Sequence, residues 1–215
     1  MGTFPSTPEA LTDDWLTEVL NVSVRSHQVE RFSEGTGVIG LVTRVHIDAD
    51  GGPATLIAKF PSPAPENRAV AATYDMYGRE VRFYQDIAIR LPMRTAQCYF
   101  AAHDPKSQDF VLLLEDLSNY RIGDQVAGCT LAEARAVVEA IAELHATTWT
   151  GADYPGLQSH ASDMQRDGMV GGFQLGWPVV LEQFADLVPE SARIAGERMP
   201  GAVGRLLEEM CSEPV

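Results

Sequence analysis

The fold is decided by residues 35–47, which have the sequence Gly-Thr-Gly-Val-Ile-Gly-Leu-Val-Thr-Arg-Val-His-Ile. Gly35, Gly37 and Gly40 form a G-x-G-x-x-G pattern, and the residues after Gly40 alternate as they do in a strand. The dinucleotide-binding form of this pattern requires a helix to begin at the glycines, so the strand excludes it. The sequence therefore predicts a glycine loop between two antiparallel strands that could cover a triphosphate, with an ordinary hairpin turn as the alternative.

The elements around this loop change from strands with one helix to helices alone. A short helix is predicted at 7–20 with Thr7 or Thr12 as its cap, and a turn at 48–53 joins the two strands of a hairpin. Strands are predicted at 28–32, 38–47, 55–60, 98–102 and 110–114, and helices at 66–90, from Thr130 onward and, broken by glycine and proline, beyond residue 151. This order predicts an α+β lobe followed by a helical lobe.

Two of the predicted helices carry local signals. One apolar stripe recurs every three or four positions along helix 66–90 and consists of Val70, Tyr74, Tyr77, Val81, Tyr84 and Ala88. Thr130 and Glu133 have capping-box spacing at the start of the next helix. His145 falls on the apolar face of that helix, and we interpret it as a core histidine rather than a metal ligand or catalytic group.

Lys59 is unusual because the chain has only two lysines, Lys59 and Lys106. Lys59 interrupts the apolar strand 55–60, where an unpaired ammonium would cost several kcal/mol. One alternative is an edge strand from which the side chain reaches solvent. However, this strand directly follows the glycine hairpin, where a cation could contact the α- and β-phosphates of a nucleotide. We therefore favour phosphate binding.

Glu80 is the candidate partner of Lys59. It lies three residues after Tyr77 and four before Tyr84, so it falls on the flank of the apolar stripe and points toward the sheet. The alternative is a solvated carboxylate that exchanges ion pairs with Arg79 or Arg82. The position of the helix directly after the lysine strand favours the pair with Lys59.

Residues 109–117 form an apolar strand that ends in Glu115 and Asp116 and leads into Leu117. An ordinary strand exit explains this pattern equally well from the residues alone. In a kinase arrangement the segment joins the two lobes, and its backbone N–H and C=O groups contact adenine. Backbone recognition leaves little side-chain signature, so this prediction rests on position.

Composition limits the possible partners and compartment. The formal net charge is −14, from 30 acidic and 16 basic residues, and so acidic a surface repels nucleic acid. We expect no membrane-spanning segment and find no secretory signal at the N-terminus. Cys98, Cys129 and Cys211 are odd in number, lie far apart and show neither zinc-ligand nor C-x-x-C spacing, so we expect reduced thiols in a cytoplasmic protein.

The order of these motifs resembles one group of enzymes. Glycine hairpin, strand lysine, helix glutamate and a strand entering Leu-Leu-Glu-Asp-Leu together resemble the aminoglycoside phosphotransferases and ecdysteroid-kinase-like phosphotransferases of the protein-kinase-like fold. The resemblance is closest at residues 79–84 and 112–117. It implies an N-terminal nucleotide-binding lobe at 1–117, with an antiparallel sheet plus a helix, and the start of a helical substrate lobe at 118–215.

The resemblance also implies a reaction and a set of binding residues. Such enzymes transfer the γ-phosphoryl group of ATP to a hydroxyl group of a small molecule, with Mg²⁺ neutralising charge. The backbone of the glycine loop would approach the phosphates, Lys59 would bind phosphate oxygens, Glu80 would orient Lys59, and the backbone of two linker residues would hold adenine. The residues implied are Gly35, Thr36, Gly37, Val38 and Gly40 in the loop, Lys59, Glu80, and Glu115 and Leu117 in the linker.

The sequence departs from the family at the catalytic loop. The loop needs an Asp followed five residues later by an Asn, and this chain has only Asn21, Asn67 and Asn119. No such pair occurs, so we expect no catalytic base and no metal ligand in the chain, and little activity from it alone. The leading interpretation is part of an active phosphotransferase. The alternatives are a non-catalytic nucleotide-binding module and an interaction protein in which the glycines and Lys59 are coincidental.

Overall fold

The computed structural model describes residues 4–32, 39–149 and 162–212. Five strands form one antiparallel sheet, and helices precede the first strand, lie between the third and fourth strands and follow the fifth. The strands are β1 (Val24–Arg31), β2 (Gly40–Ala49), β3 (Thr55–Pro61), β4 (Cys98–Asp104) and β5 (Asp109–Glu115). The helices are α1 (Asp13–Leu20), α2 (Pro65–Thr73), α3 (Met76–Arg82), α4 (Leu131–Thr148), α5 (Asp163–Gln183) and α6 (Glu190–Ser212). The predicted α+β class is confirmed.

The chain divides into two compact units, Met1–Thr147 and Thr148–Val215. The first unit contains the whole sheet together with α1, α2, α3 and nearly all of α4. The predicted functional lobes, 1–117 and 118–215, place the division earlier in the chain, and their assignment to nucleotide and substrate stays a prediction. Among the helices that the structure describes, none is both long enough and apolar enough to span a bilayer.

The strand order is β1-β2-β3-β5-β4, and every neighbouring pair is antiparallel. β3 is the third of the five strands in this order and pairs with β2 on one side and β5 on the other, so it lies at the centre of the sheet. The edge-strand explanation for Lys59 is therefore wrong. The strand order also explains the continuous apolar sequence of β5. This strand lies between β3 and β4 and is covered on both faces, so it needs apolar side chains on both sides.

Alternation along β3 separates two hydrophobic clusters on opposite faces of the sheet. Leu56, Ala58 and Phe60 are fully buried and belong to the cluster that packs against Leu16 of α1. Lys59 points to the other face, because successive side chains of a strand alternate. The cluster on that face packs against α3 and contains Ala71, Tyr77, Val81, Phe110, Leu112 and Leu114. The lysine is thus placed on the face that α3 covers.

The helix predicted at 66–90 is interrupted at Asp75, whose φ of 47° lies in the left-handed region. Aspartate tolerates this conformation better than most residues, and apolar periodicity does not signal it. The break turns α2 relative to α3, so Ala71 is buried while Val70 is 44% exposed. The single stripe predicted through Val70 is wrong on α2 but correct on α3. After α3 the chain continues through a π turn (Phe83–Ile87) and a 3-10 turn (Ala88–Arg90).

Both predicted helix caps are present. The Thr12 hydroxyl oxygen accepts a hydrogen bond from the backbone N–H of Trp15 at 3.2 Å at the start of α1. At α4 the N–H of Thr130 donates to Oε2 of Glu133 at 2.7 Å, and the N–H of Glu133 donates to the Thr130 hydroxyl at 3.3 Å. These two bonds are the reciprocal capping box that the spacing predicts. His145 is exposed on α4, so its interpretation as a core histidine is wrong.

The second unit contains two long helices that pack against each other, α5 and α6. Each continues through a proline, Pro178 in α5 and Pro200 in α6, so the breaks predicted there are wrong. Packing between the helices overrides the local preference. At Gly196 an added Cβ would lie 2.3 Å from the ring of Trp177, which shows how closely the α6 backbone approaches α5.

Candidate functional site

Lys59 and Glu80 form an ion pair between the central strand and α3. The ammonium of Lys59 donates a hydrogen bond to Oε1 of Glu80, and the two side chains are 25% and 30% exposed. The pairing predicted from the sequence is confirmed. The competing partner Arg82 binds Asp75 instead. A charged side chain that is mostly buried is stabilised by such a partner, and the bond fixes the position of the ammonium.

α3 holds Glu80 in place through its apolar side. Tyr77 and Val81 of α3 are 2% and 4% exposed and pack on the sheet, and the ring of Tyr77 stacks on Phe110 of β5 at 4.2 Å between centroids. Glu80 lies between these anchors in sequence, and its carboxylate accepts the hydrogen bond from Lys59 of β3. The apolar side of α3 thus holds the helix that carries Glu80 against the sheet.

A pocket of about 680 Å³ opens beside this ion pair. Its walls come from β2, β3, β5, α3 and the π turn: Ile39, Gly40, Val42, Lys59, Met76, Tyr77, Arg79, Glu80, Phe83, Tyr84 and Phe110. Three of these side chains are charged, and their sum is one positive charge. Burial raises the pKa of Tyr84, and the negative charge of Glu80 raises it further, so its phenol stays neutral near pH 7. The pocket can therefore offer cations and a neutral hydroxyl to an anionic ligand.

Only the last glycine of the G-x-G-x-x-G motif lies within the described residues. Gly40 begins β2 and pairs with Pro61, and a Cβ there would approach the carbonyl oxygen of Phe60 to 3.1 Å. A Cβ at that distance is closer than ordinary contact and would require a shift of a few tenths of an ångström, so glycine fits this position without adjustment. The predicted phosphate contacts Gly35, Thr36, Gly37 and Val38 lie outside the described residues.

A comparison with known protein families identifies a family that this chain matches. The family described as ecdysteroid kinase-like matches residues 34–171, which is more than half of the 215-residue chain. The chain belongs to the ecdysteroid kinase-like family. The predicted resemblance is confirmed, as is the protein-kinase-like fold to which the family belongs. Comparisons with curated proteins and with solved structures gave no match.

Family membership makes the chain kinase-like. The segment predicted to be the linker begins where β5 ends, and its contact with adenine stays a prediction. The N–H of Glu115 donates to the carbonyl of Gln97 at 2.8 Å, and the carbonyl of Leu117 accepts from the N–H of Tyr120 at 2.9 Å. Neither Glu115 nor Leu117 lines the pocket. Lys59 pairs with Leu112, three residues before Glu115 in β5, so the linker begins about 10 Å along the strand from the ion pair.

The carboxylate of Asp116 fixes the linker, a feature that sequence reasoning missed. It is 4% exposed, accepts a hydrogen bond from Nε of Arg44 at 2.8 Å and accepts another from the N–H of Ser118 at 2.9 Å. Burial opposes ionisation, but the bonds from Ser118 and Arg44 outweigh it and hold the pKa of Asp116 below its usual range. Arg44 stands 72 residues earlier, so no local signal links the two.

Replacing Asp116 with asparagine should remove a pH-dependent contribution to stability. The folded pKa is below the unfolded value of 3.8, so the contribution is present above about pH 4 and is lost as the pH falls through the folded pKa. We expect Asp116→Asn to be about 1–2 kcal/mol less stable than the wild type at pH 7, with the difference narrowing as the pH falls below about 4. Urea unfolding at several pH values measures this. Exposed Glu18→Gln is the control, and a difference independent of pH would contradict the assignment.

The described residues offer no evident metal site to this family member. No group of three or more His, Cys, Asp and Glu side chains in residues 4–32, 39–149 and 162–210 is arranged to hold a metal ion. The chemistry of the pocket agrees, since its one carboxylate, Glu80, is occupied by Lys59. We therefore assign no described residue as a ligand of the Mg²⁺ that the family resemblance implies.

Proposed function

We propose that this chain binds ATP in the pocket beside Lys59 and Glu80, as the nucleotide-binding part of an enzyme that phosphorylates a hydroxyl group of a small molecule. The observation that carries the proposal is the Lys59–Glu80 pair, which joins α3 to the central strand β3, the strand that follows the glycine hairpin. Family membership supports a kinase-like activity.

The physical case begins with the cost of the lysine. A hydrocarbon residue at position 59 would complete the second hydrophobic cluster without placing a charge on a central strand. The ammonium is instead held by Glu80 at the wall of a pocket whose volume lies within the range of small-molecule sites, roughly 300–1,000 Å³. A cation that is fixed before the ligand arrives loses little entropy when it binds a phosphate. That arrangement favours phosphate recognition over a purely structural ion pair.

Charge in the pocket favours an anionic ligand on an otherwise acidic protein. Lys59 and Glu80 cancel each other, so the net positive charge of the pocket comes from Arg79 of α3. The chain as a whole carries −14, which would repel a triphosphate at long range. A locally positive pocket overcomes that repulsion at short range, where salt screens it least. We therefore assign the phosphates of ATP to the Lys59 and Arg79 side of the pocket.

The adenine ring would lie toward the linker at the end of β5. Because the N–H of Glu115 already donates to Gln97, the groups left for the base are the carbonyl of Glu115, which has two acceptor positions, and the N–H of Leu117. The Asp116 carboxylate holds the backbone between them. A nucleotide placed this way would extend along β5 from the linker to Lys59.

The proposal assigns nucleotide binding, and not the transfer step, to the described residues. The chain contains no Asp-x-x-x-x-Asn sequence, and the described donors form no metal site. The acceptor is proposed only as a small molecule with a hydroxyl group, by family resemblance. We expect no nucleic-acid or membrane partner, since nucleic acid would meet the acidic surface and the described helices cannot span a bilayer.

Replacing Lys59 with methionine should weaken the binding of Mg-ATP at least about tenfold, which corresponds to roughly 1.4 kcal/mol. Methionine keeps the length and apolar volume of the side chain and removes the charge. Isothermal titration calorimetry of the wild type and the variant measures the change. Lys106→Met is the matched control, because it removes the other lysine from an exposed turn between β4 and β5. Equal affinities for Lys59→Met and the wild type, or no binding by either, would contradict the proposal.

A further inference from the structure

The hydroxyl of Tyr77 makes two hydrogen bonds that have no counterpart in the ATP-binding scheme above. Tyr77 is 2% exposed, and its hydroxyl donates to the carbonyl of Ile39 at 2.6 Å. The same oxygen accepts a hydrogen bond from the backbone N–H of Ser62 at 3.0 Å. One side chain of α3 is therefore bonded to the backbone of two different strand ends.

Each of the two bonded groups belongs to a part of the candidate site. The Ile39 carbonyl is in the last peptide of the G-x-G-x-x-G motif, the peptide that joins Ile39 to Gly40. Ser62 follows the end of β3, three residues beyond Lys59. Tyr77 itself precedes Glu80 by three residues, so the two lie within one turn of α3. The hydroxyl thus links the glycine motif, the lysine strand and the glutamate helix.

The ring of Tyr77 is held independently of its hydroxyl. It stacks on Phe110 with 4.2 Å between centroids and 16° between planes, and it belongs to the hydrophobic cluster under α3. A phenylalanine at this position would keep the stacking and lose only the two hydrogen bonds. Core packing alone therefore does not require a tyrosine, and burying a hydroxyl is favourable only when it is hydrogen-bonded.

We propose that Tyr77 is a positioning residue that fixes the end of the glycine motif relative to the Lys59–Glu80 pair. This inference rests on the proposed ATP-binding function and deepens it. Gly40 and Lys59 line the same pocket, and a phosphate chain bound there would contact the backbone at Gly40 and the lysine ammonium together. The distance between those two groups therefore contributes to the affinity for the phosphates. The adenine and ribose contacts do not depend on that distance. Loss of the hydroxyl should therefore weaken ATP binding and leave adenosine binding nearly unchanged.

The test is Tyr77→Phe with two measurements. Amide hydrogen exchange followed by NMR without nucleotide should show the Ser62 N–H exchanging at least about tenfold faster than in the wild type, because its acceptor has been removed. Calorimetric titration should give about tenfold weaker binding of Mg-ATP. Titration with adenosine, followed by NMR shifts, should give an affinity within about twofold of the wild type.

A buried hydroxyl elsewhere in the sheet provides the matched control. Thr43 of β2 is fully buried on the opposite face, and its hydroxyl donates to the carbonyl of Ala58 at 3.3 Å. Thr43→Val removes a buried hydrogen bond from the same sheet without touching the glycine motif or α3. We expect it to lower thermal stability as Tyr77→Phe does, while its Mg-ATP and adenosine affinities stay within about twofold of the wild type.

Two outcomes would overturn the inference while leaving ATP binding intact. One is that Tyr77→Phe matches Thr43→Val, with stability lowered and ATP affinity retained. The other is that Tyr77→Phe weakens ATP and adenosine equally, which indicates general disruption of the pocket. Lys59→Met titrated alongside separates these from failure of the proposed function. If the wild type itself binds no ATP, the proposed function and the positioning role are both wrong.

Discussion

Phe110→Ala should lower the free energy of unfolding by about 3–5 kcal/mol, the largest loss of stability that we expect from one substitution near the site. Phe110 is 1% exposed near the start of the interior strand β5 and lies in the hydrophobic cluster beneath α3. Removing its ring leaves a cavity that rigid strands on either side can fill only in part. Domains of this kind have a total stability of roughly 5–15 kcal/mol, so the loss is a large fraction.

The same substitution should also weaken nucleotide binding, because Phe110 forms part of the pocket wall. Tyr77 loses its stacking partner, and α3 with Glu80 is then held less firmly against the sheet. Urea unfolding followed by circular dichroism measures the stability, and calorimetry at low temperature measures ATP affinity in the folded fraction. Both quantities should decrease together.

Val111→Ala is the matched control for Phe110→Ala. Val111 is the next residue of β5, is fully buried and faces the other cluster, beneath α1. We expect it to lower stability and leave ATP affinity unchanged. If Phe110→Ala costs less than about 1.5 kcal/mol, the cluster under α3 is packed less closely than described. If Val111→Ala weakens ATP binding as much as Phe110→Ala does, stability rather than the pocket governs affinity.

The parts of the fold that the sequence predicted correctly depend on neighbours along the chain. Strand periodicity, the Thr12 cap and the Thr130–Glu133 box each involve residues within a few positions of one another, so the pattern contains the whole interaction. The Lys59–Glu80 pair was also predictable, because a buried lysine needs a counter-ion and the next helix offered one on its sheet-facing flank. In that case the chemistry of the residue compensated for the distance in sequence.

The features that sequence reasoning missed depend on strand register or on a single unusual backbone conformation. Arg44 and Asp116 meet only because β2, β3 and β5 are adjacent in the sheet, and nothing near either residue specifies that order. The Tyr77 hydroxyl was counted as part of an apolar stripe, and its bond to the Ile39 carbonyl crosses 38 positions. The left-handed conformation of Asp75 changed which face of α2 is buried without disturbing the periodicity. Long-range pairing is therefore the information that the sequence pattern lacked.

Reversing the charge of Lys59 should abolish most ATP binding. Exchanging Lys59 and Glu80 should then show whether binding needs the cation at position 59 or only a cation in the pocket. Lys59→Glu places a second carboxylate beside Glu80 where each side chain is no more than 30% exposed, and like charges in contact cost several kcal/mol. We expect ATP affinity to fall at least about 100-fold, or roughly 2.7 kcal/mol, together with a clear loss of stability. Calorimetry and urea unfolding measure the two effects.

The double variant Lys59→Glu/Glu80→Lys re-forms the ion pair with its ends exchanged. Its stability should return most of the way to that of the wild type, because each charge again has a partner. Its ATP affinity should not recover, because the ammonium now comes from α3 and no longer extends from β3. Recovery of both would mean that the pocket needs only a net positive charge, and Lys59 would have no special role. Recovery of stability alone separates phosphate recognition from structural pairing, since the wild type and the double variant contain the same pair of residues in opposite places.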